Sequence, residues 1–531
     1  MDSAVSLVEY GPRRIIITVT AVFCALLQII DTTIVNVALN NMRGNLGATL
    51  NEISWVITAY SLANVIIVPM TSWLSQQFGR RNYFAASVII FTVCSFLCGQ
   101  ATGIWELVIY RFIQGLGGGA LLVTSQTIIT ESWPVEKRAM AQAVYTLGVI
   151  IGPTLGPTLG GYLVDHYSWP YIFYINIPVG IVAALLTLQY VRSPKYEEKR
   201  PASQVDWWGI GLLTVGVSSL QYILEKGQEE DWFSSKVIIT LTVTAVFGIL
   251  LFIWRELDYR YPVVELRVLK DRNLKIGVIL SFIMGFGLFG STFVIPLYTQ
   301  SLLGWTAMQA GLLQLPSTLF VAVMMPVVAQ LMQYGIRQKY LIAIGMFIFF
   351  VYCCLTYFVL TPHTSSGDFF WILIIRGFGL GLLSVPVTTM SLSTLKGQEI
   401  GQGAAFSGMT RQLGGSFGVA LISTFVYRQT QVHRNALISH LSVYDPGVQQ
   451  RVAQMAAGVR HHSGADSLTA RQTAYAMLDG AVNQQSTILS YMDVFLWVGI
   501  MFLVCVPVVL IFVKAGKNKI SLADAAAAEG H

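Results

Sequence analysis

The chain has 531 residues, of which 54% are hydrophobic and only 11% are charged. Ordinary soluble domains carry about 25% charged residues, so this composition excludes a soluble globular protein and predicts a polytopic membrane protein. The net charge of +6 does not indicate nucleic-acid binding, because the Lys and Arg residues fall mainly in short segments between apolar runs. All six cysteines lie inside apolar runs, which favours small buried hydrophobes over a disulfide framework or a metal site.

Fourteen apolar runs are each long enough to cross the hydrocarbon core of a bilayer as a helix. The sequence therefore predicts an all-α membrane protein with 14 transmembrane helices. The predicted spans cover approximately residues 15–40, 52–75, 82–100, 104–131, 138–164, 170–191, 206–225, 236–254, 274–300, 307–332, 339–360, 369–395, 401–427 and 488–513.

Lys and Arg are unevenly distributed between the two sides that the alternating spans define. One side holds 22 of these residues, and the short loops of the other side hold only Arg43, Lys226 and Lys236. The positive-inside rule therefore predicts that both termini are cytoplasmic. The long segment 428–487 then lies outside, where we expect short amphipathic helices around a Pro446-Gly447 turn. Its histidines could bind metal or sense pH, but scattered surface histidines are the simpler interpretation.

A weak internal repeat indicates two related six-helix halves. Span 4 carries R-F-I-Q-G-L-G-G-G from Arg111, and span 12 carries R-G-F-G-L-G-L from Arg376. Repeated helical halves around a midplane cavity are typical of transporters. The repeat divides the chain into a cytoplasmic N-terminus (1–14), a first half (15–191), a linker with two extra helices (192–273), a second half (274–513, with 428–487 periplasmic) and a cytoplasmic tail (514–531).

Span 5 contains a glycine at every fourth position, namely Gly148, Gly152, Gly156 and Gly160. These residues fall close to one face of a helix, where a second helix backbone can approach closely. Prolines within the same stretch remove backbone donors, so we expect this helix to be kinked. The row is interpreted as a seam along which helices rock, and the alternative is a static packing seam.

Ionisable residues within spans are costly and usually functional. Asp31 lies about 24 Å along span 1 from the cytoplasmic side, and Arg111 lies about 10 Å below the outer surface in span 4. The two opposite charges therefore sit at compatible depths and could pair or share a hydrated cavity. Changes in water access or in the distance to Arg111 would load and unload a proton on Asp31. A purely structural ion pair is the alternative.

The second half carries two further intramembrane arginines, Arg376 and Arg411. Span 9 contains no acid, so Arg376 lacks the partner that Arg111 has, and Asp493 near the outer end of span 14 is the candidate counter-ion. Arg411 could bind an anionic group or neutralise the carbonyl ends of helices. Proton handling is therefore expected mainly in the first half.

Several sequence motifs together resemble those of the major facilitator superfamily, in particular its fourteen-span drug:proton antiporters of the EmrB/QacA type. The resemblance covers about residues 15–515. Its motifs are D-T-T-I-V-N-V-A-L from Asp31, R-F-I-Q-G-L-G-G-G from Arg111, G-V-I-I-G-P-T-L-G-P-T-L-G-G from Gly148, W-P-Y-I-F-Y-I-N-I-P-V-G from Trp169 and V-D-W-W-G from Val205. The stretch S-L-Q-Y-I-L-E-K-G-Q-E-E-D-W-F-S-S from Ser219 is most similar to the EmrB type.

The resemblance implies proton coupling by Asp31 and Arg111. It also implies a gating loop at Gly79, Arg80 and Arg81, although this loop has Ser72 and Gln76 where the superfamily pattern has Gly and Asp. The charge-relay role of that acid is therefore not carried over to this chain. The antiporter motif would comprise Gly148, Gly152, Pro153, Gly156, Pro157, Gly160 and Gly161.

These observations predict a proton-coupled multidrug antiporter of the bacterial inner membrane that exports hydrophobic toxic compounds by alternating access. No P-loop or catalytic cluster is present, so we expect neither an enzyme nor a cofactor, only the proton gradient. The resemblance implies a periplasmic adaptor (EmrA-like) and an outer-membrane channel (TolC-like) as partners. An exporter of one metabolite or siderophore and a membrane protein without transport are the alternatives. The expected substrate cavity is lined by Gln28, Tyr60, Asn64, Gln114, Gln126, Phe293, Tyr298, Arg376 and Arg411.

Overall fold

The structure is a computed structural model that describes residues 8–194, 201, 204–442, 444–464 and 466–513. Within these ranges the secondary structure is helical and contains no strand. Thirteen of the helical segments are long and apolar enough to cross a membrane. The all-α membrane architecture predicted from the sequence is confirmed. The predicted cytoplasmic tail, 514–531, and the first seven residues of the predicted N-terminus lie outside the described residues.

The first half contains six spans, the last of which is broken. The helices are α1 (Gly11–Leu46), α2 (Leu50–Phe78), α3 (Arg80–Gln100), α4 (Ile104–Ser132), α5 (Arg138–His166), α6 (Tyr171–Tyr174) and α7 (Asn176–Tyr190). The pairs α1–α5, α2–α4 and α3–α4 pack closely. The break between α6 and α7 lies just before Pro178, whose missing N–H leaves a carbonyl of the preceding turn without its helical donor.

The inserted helices and the second half follow in order. They are α8 (Trp207–Lys226), α9 (Lys236–Asp258), α10 (Arg272–Ser301), α11 (Ala307–Leu313), α12 (Leu315–Gln333), α13 (Gln338–Val359), α14 (Ser366–Leu392), α15 (Gln398–Ser439), α16 (Pro446–Ser463) and α17 (Ser467–Phe512). Gly216 of α8 and Gly248 of α9 face each other, and a Cβ at Gly248 would lie 2.9 Å from the Cα of Gly216. Small residues thus let the two inserted helices meet at backbone distance.

All fourteen predicted spans coincide with helices, but the thirteenth lacks the apolarity of the others. Residues 401–427 fall within α15, which is absent from the thirteen apolar spans because glycines and polar residues such as Arg411 and Gln412 interrupt it. This helix nevertheless packs along α10 and α17, as a span of the second half would. The count of fourteen spans is therefore supported by packing and not by hydropathy.

The segment 428–487 differs from its prediction. Short helices around a turn were expected, whereas α15 continues to Ser439, α16 occupies Pro446–Ser463 and α17 begins at Ser467. Pro446 is the first residue of α16, where a proline costs no hydrogen bond, and Asp445 caps that helix by accepting from the N–H of Gly447. Hydrophilic helix formers continue the helices beyond the apolar runs, so this segment is an extension of the bundle.

The two halves contact each other along three seams. Thr154 of α5 and Thr318 of α12 are joined by a hydrogen bond of 2.6 Å between their Oγ1 atoms. Near the predicted cytoplasmic side, Gln398 Nε2 of α15 donates to Gln76 Oε1 of α2 at 2.7 Å. The inserted helix α8 also packs against both α2 and α15. These contacts enclose the interface between the halves, which is where proteins built from repeated helical halves place their ligand sites.

Candidate functional site

The centre of the first half is a buried ion pair between α1 and α4. Arg111 Nη1 donates to Asp31 Oδ2 at 2.6 Å, and the two side chains are 1% and 0% exposed. The structure thus brings together the two charges that the sequence placed at compatible depths. Isolated charges are expensive to bury, so each residue needs the other.

Three uncharged side chains complete the shell around the carboxylate. Gln114 Nε2 of α4 and Asn176 Nδ2 of α7 both donate to Asp31 Oδ1, at 3.1 and 3.0 Å. The same two amide groups donate to Ser95 Oγ of α3, which in turn donates to the carbonyl of Phe173. Three helices of the half therefore meet at one carboxylate, and α3 joins them through Ser95. Both carboxylate oxygens accept hydrogen bonds, as an ionised group requires.

Sequence reasoning missed Asn176 and Ser95. Asn176 lies inside the W-P-Y-I-F-Y-I-N-I-P-V-G motif and is the first residue of α7, so the helix break beside it was the available signal. Ser95 carried no signal, because a serine in an apolar span usually bonds to its own helix backbone. Gln114 was assigned to the substrate cavity, but its 0% exposure and its four contacts place it within the Asp31 network.

Two aromatic rings cover the guanidinium of Arg111. The Tyr60 ring centroid lies 4.0 Å from Arg111 Cζ, and the Phe173 ring lies 5.7 Å from it. Arg111 Nε donates to the carbonyl of Val56 at 3.3 Å. The rings exclude water from the pair while their faces attract the cation. Tyr60, predicted to line the cavity, therefore also supports the charge network.

The second half has an arginine at the corresponding helix but no acid beside it. Arg376 of α14 donates from Nη2 to Thr292 Oγ1 at 2.6 Å and from Nη1 to Gln314 Oε1 at 3.2 Å. It is 3% exposed, and its Nε has no partner among the described residues. Asp493, suggested as its counter-ion, accepts instead from His433 Nε2 of α15 at 2.7 Å. That suggestion is wrong, because the long α15 brings a histidine closer.

Arg411 is the other buried cation of the second half. It is 9% exposed, and its Nε and Nη2 have no hydrogen-bond partner in the described part of the chain. The alternative that Arg411 neutralises helix carbonyls therefore finds no support, because the side chain donates to no carbonyl of the described residues.

The remaining cavity candidates divide between the two halves. Gln28 of α1 donates to Asn64 of α2 at 3.1 Å, and Gln126 of α4 donates to Gln142 of α5 at 3.4 Å. Phe293 packs against the large hydrophobic cluster of the second half. Tyr298 lies in the core of that half, where its hydroxyl donates to the carbonyl of Thr361 at 2.6 Å and its ring stacks edge-on with Phe369 and Tyr491. Its assignment to the cavity stays a prediction, and the bond to Thr361 fixes its hydroxyl within the second half.

The glycine row of α5 faces α1 of its own half. A Cβ at Gly156 would lie 2.0 Å from Thr33 Oγ1, and one at Gly152 would lie 2.4 Å from Ile29 Cγ2. The opposite side of the helix meets the second half, where Pro157 contacts Gly311 and Gly161 faces Met308. The row itself is thus a close-packed contact within one half, and the seam between halves uses the other face.

The predicted gating loop forms the turn between α2 and α3. Gly79 takes a positive φ of 80°, which a side chain would strain, and Arg81 N donates to Ser193 Oγ at 3.1 Å. Arg80 Nη1 forms a buried ion pair of 2.5 Å with Glu131 Oε2 of α4. Beside it, Gln76 accepts from Gln398 of α15, so a neutral hydrogen bond between the halves occupies the place where the superfamily pattern has an acid.

Sequence reasoning also missed the polar contacts of the inserted helix α8. Gln221 Nε2 donates to both Glu225 Oε1 and Ser416 Oγ of α15, at 2.8 and 3.0 Å. Lys226 Nζ donates to Ser54 of α2. The inserted helix thus bridges α2 of one half and α15 of the other. No group of three or more metal-ligating side chains occurs within the described ranges, so the histidines of 428–487 form no recognisable metal site there.

Comparisons with known proteins agree with this geometry. A family model described as Major Facilitator Superfamily matches residues 21–419. The chain belongs to the major facilitator superfamily. Within it, the chain is 32% identical to "Multidrug export protein EmrB" of Escherichia coli K12 over 84% of this chain and 86% of that protein. The chain is therefore an EmrB-type member and a multi-pass membrane protein of a transporter family.

Two further comparisons extend the likeness. The chain is 32% identical to "Fatty acid resistance protein FarB" of Neisseria gonorrhoeae, over 93% of this chain and 95% of that protein. The structure of the human transporter MFSD10 superposes with a TM-score of 0.55 at 14% identity, over 93% of this chain and all of that one. The likeness to MFSD10 concerns the fold alone.

Proposed function

We propose that this protein is a proton-coupled exporter of hydrophobic toxic compounds that works by alternating access in a bacterial inner membrane. The observation that carries the proposal is the fully buried Asp31 carboxylate of α1, which is bonded to α4 through Arg111 and Gln114 and to α7 through Asn176. Relatives with about a third of their residues identical are named for multidrug export and for fatty acid resistance.

Protonation of Asp31 is the step that couples the gradient to conformation. A protonated carboxyl loses its ion pair with Arg111 and accepts fewer hydrogen bonds, so the contact between α1 and α4 weakens. Arg111 then relies on Gln114 Oε1 and the carbonyl of Val56, which it already contacts. Moving one charge across the membrane provides about 2.3 kcal/mol per 100 mV, which is enough to drive export against a gradient.

The substrate would bind between the halves, and the halves would rock about the seams described above. The hydrogen bonds Thr154–Thr318 and Gln76–Gln398 would break on one side at a time. Gln28, Asn64 and Gln126 then provide neutral polar contacts to the cargo. An adaptor and an outer-membrane channel would carry the cargo onward across the envelope.

The test is Asp31→Asn in the full-length protein reconstituted in liposomes with an imposed pH gradient and a panel of hydrophobic drugs. We expect gradient-driven transport to disappear while the protein still folds and exchanges substrate down its own gradient. Asp493→Asn is the matched control, because it removes a carboxylate from a span outside the network, and should leave transport intact. Wild-type transport rates in Asp31→Asn would show that this carboxylate does not couple protons.

A second candidate is an exporter dedicated to one compound class, which the name of the gonococcal relative favours. Expression in a pump-deficient strain separates the two candidates. A broad exporter raises resistance to many unrelated drugs, whereas a dedicated one raises resistance only to fatty acids or to a single metabolite.

A further inference from the structure

Arg411 is a buried cation without a counter-ion. It lies on α15, 13 residues after the first residue of that helix, or about 20 Å along its axis. No carboxylate of the described residues forms an ion pair with it, and its Nε and Nη2 contact no acceptor there. Other buried arginines of the spans have hydrogen-bond acceptors. Arg80 and Arg111 each have a carboxylate, and Arg376 has two neutral oxygens.

The position of Arg411 is the interface between the halves. One turn earlier on α15, a Cβ at Gly408 would lie 3.1 Å from Val123 of α4. Tyr145 of α5 lies within electrostatic range of Arg411, and its hydroxyl donates to the carbonyl of Leu122. The guanidinium of the second half thus approaches α4 and α5 of the first half.

Four buried hydroxyl groups on α4, α10 and α15 are also unpartnered in the described ranges. They are the hydroxyls of Thr124, Ser125, Ser281 and Ser407. Ser407 precedes Arg411 by about one turn, so the two residues share a face of α15. Buried polar groups are normally satisfied, so a buried cation with spare donors at the interface between the halves indicates a bound acceptor.

Charge decides which kind of acceptor fits. The Asp31–Arg111 pair is neutral as a unit and gives Arg411 no compensation, and Arg376 adds a second positive charge without an acid. An anion placed between the halves would relieve an uncompensated guanidinium, whereas a cation would be repelled by both arginines. A carboxylate suits a guanidinium best, because it can accept two parallel hydrogen bonds.

We propose that Arg411 anchors the acidic group of the exported compound, so that the preferred cargo is a hydrophobic organic anion with a carboxylate. The proposal rests on the proposed export function, because it names the substrate class of the same interface. The apolar part of the cargo would lie among the surrounding apolar side chains, and the spare hydroxyls would donate to the second carboxylate oxygen. Neutral compounds of the same shape would bind without this anchor.

Binding is tested with purified full-length protein and two fluorescent probes that differ only in charge, a dansyl-labelled fatty acid and its methyl ester. We expect Arg411→Gln to weaken binding of the acid by about tenfold or more, as the loss of a charge-assisted hydrogen bond requires, and to leave the ester unchanged. Arg411→Lys should restore part of the affinity. Arg428→Gln is the matched control, because it removes the same charge from an exposed position on the same helix.

Transport in liposomes separates this inference from the proposed function. If wild-type protein moves neither probe under a pH gradient, the proposed function fails. If it moves both probes and Arg411→Gln slows them equally, or slows neither, the export function stands and Arg411 is not an anion anchor. A selective loss of acid transport supports the anchor. Better binding of a dansyl alkyl-trimethylammonium than of the acid by the wild type would overturn the substrate class.

Discussion

The two halves begin from the same motif and treat their buried charge differently. Arg111 and Arg376 occupy corresponding helices, α4 and α14, and both are almost fully buried. Arg111 meets an acid from α1 and a shell of amides. Among the described residues, Arg376 meets the neutral oxygens of Thr292 and Gln314 and the ring of Tyr352, but no acid. The first half therefore compensates its buried arginine with an acid of its own, whereas no acid of the described residues pairs with the buried arginine of the second half.

The largest loss of stability should follow from removing Arg111, the buried cation of the first half. Arg111→Met leaves Asp31 buried without a counter-charge, which we expect to destabilise the protein by about 3–5 kcal/mol. The readout is thermal unfolding in detergent together with the yield of monodisperse protein. The double variant Asp31→Asn with Arg111→Met should recover most of the loss, because no lone charge remains. A double variant as unstable as the single one would mean that Arg111 acts by packing and not by charge.

The corresponding substitution of Arg376 in the second half should change thermal stability only mildly. Arg376→Met leaves no described acid without its partner, and the main cost is the loss of the hydrogen bonds to Thr292 and Gln314, about 1 kcal/mol each. Relief of an uncompensated cation offsets part of that cost, so thermal stability should stay near that of the wild type. A loss as large as that of Arg111→Met would contradict the contrast between the halves and would indicate a negative partner for Arg376.

A substitution in the glycine row of α5 tests the contact of that helix with α1 inside the first half. Gly156→Ala forces a Cβ to within 2.0 Å of Thr33 Oγ1, two residues beyond Asp31, so α1 must shift. We expect a cost of about 1–3 kcal/mol and a weaker response of transport to the pH gradient. Gly161→Ala is the matched control in the same motif, since its Cβ would meet Met308 at an ordinary 3.6 Å. Equal effects at both sites would mean that the row does not act through α1.

These contrasts also show what the sequence was able to predict. The depths of Asp31 and Arg111 followed from helix rise and span direction, which are local quantities, and the pair was found where they indicated. Asn176 and Ser95 escaped prediction because their role depends on how α3 and α7 rotate against α1, and amide or hydroxyl groups carry no charge signal. The acceptor of the Tyr298 hydroxyl escaped prediction for the same reason, because Thr361 comes from a distant loop.

The glycine row of α5 shows a second limit of this kind. A four-residue spacing establishes that one face of a helix is smooth, but it does not say which neighbour occupies that face. The neighbour turned out to be α1 of the same half, so the spacing reported on packing within a half and not on the seam between halves.

A smaller effect than that of Gly156→Ala is expected at the neutral contact that joins the halves near the predicted cytoplasmic side. Gln76→Ala removes the acceptor of Gln398 Nε2, and a single neutral hydrogen bond contributes about 0.5–1.5 kcal/mol. A double-mutant cycle with Gln398→Ala should give a coupling energy in that range in thermal unfolding. Gln76→Glu should retain the coupling, since a carboxylate still accepts from the amide. Additive effects of the two alanine variants would show that this bond does not stabilise the contact between the halves. The Thr154–Thr318 bond and the α8 bridge would then be the contacts that resist opening.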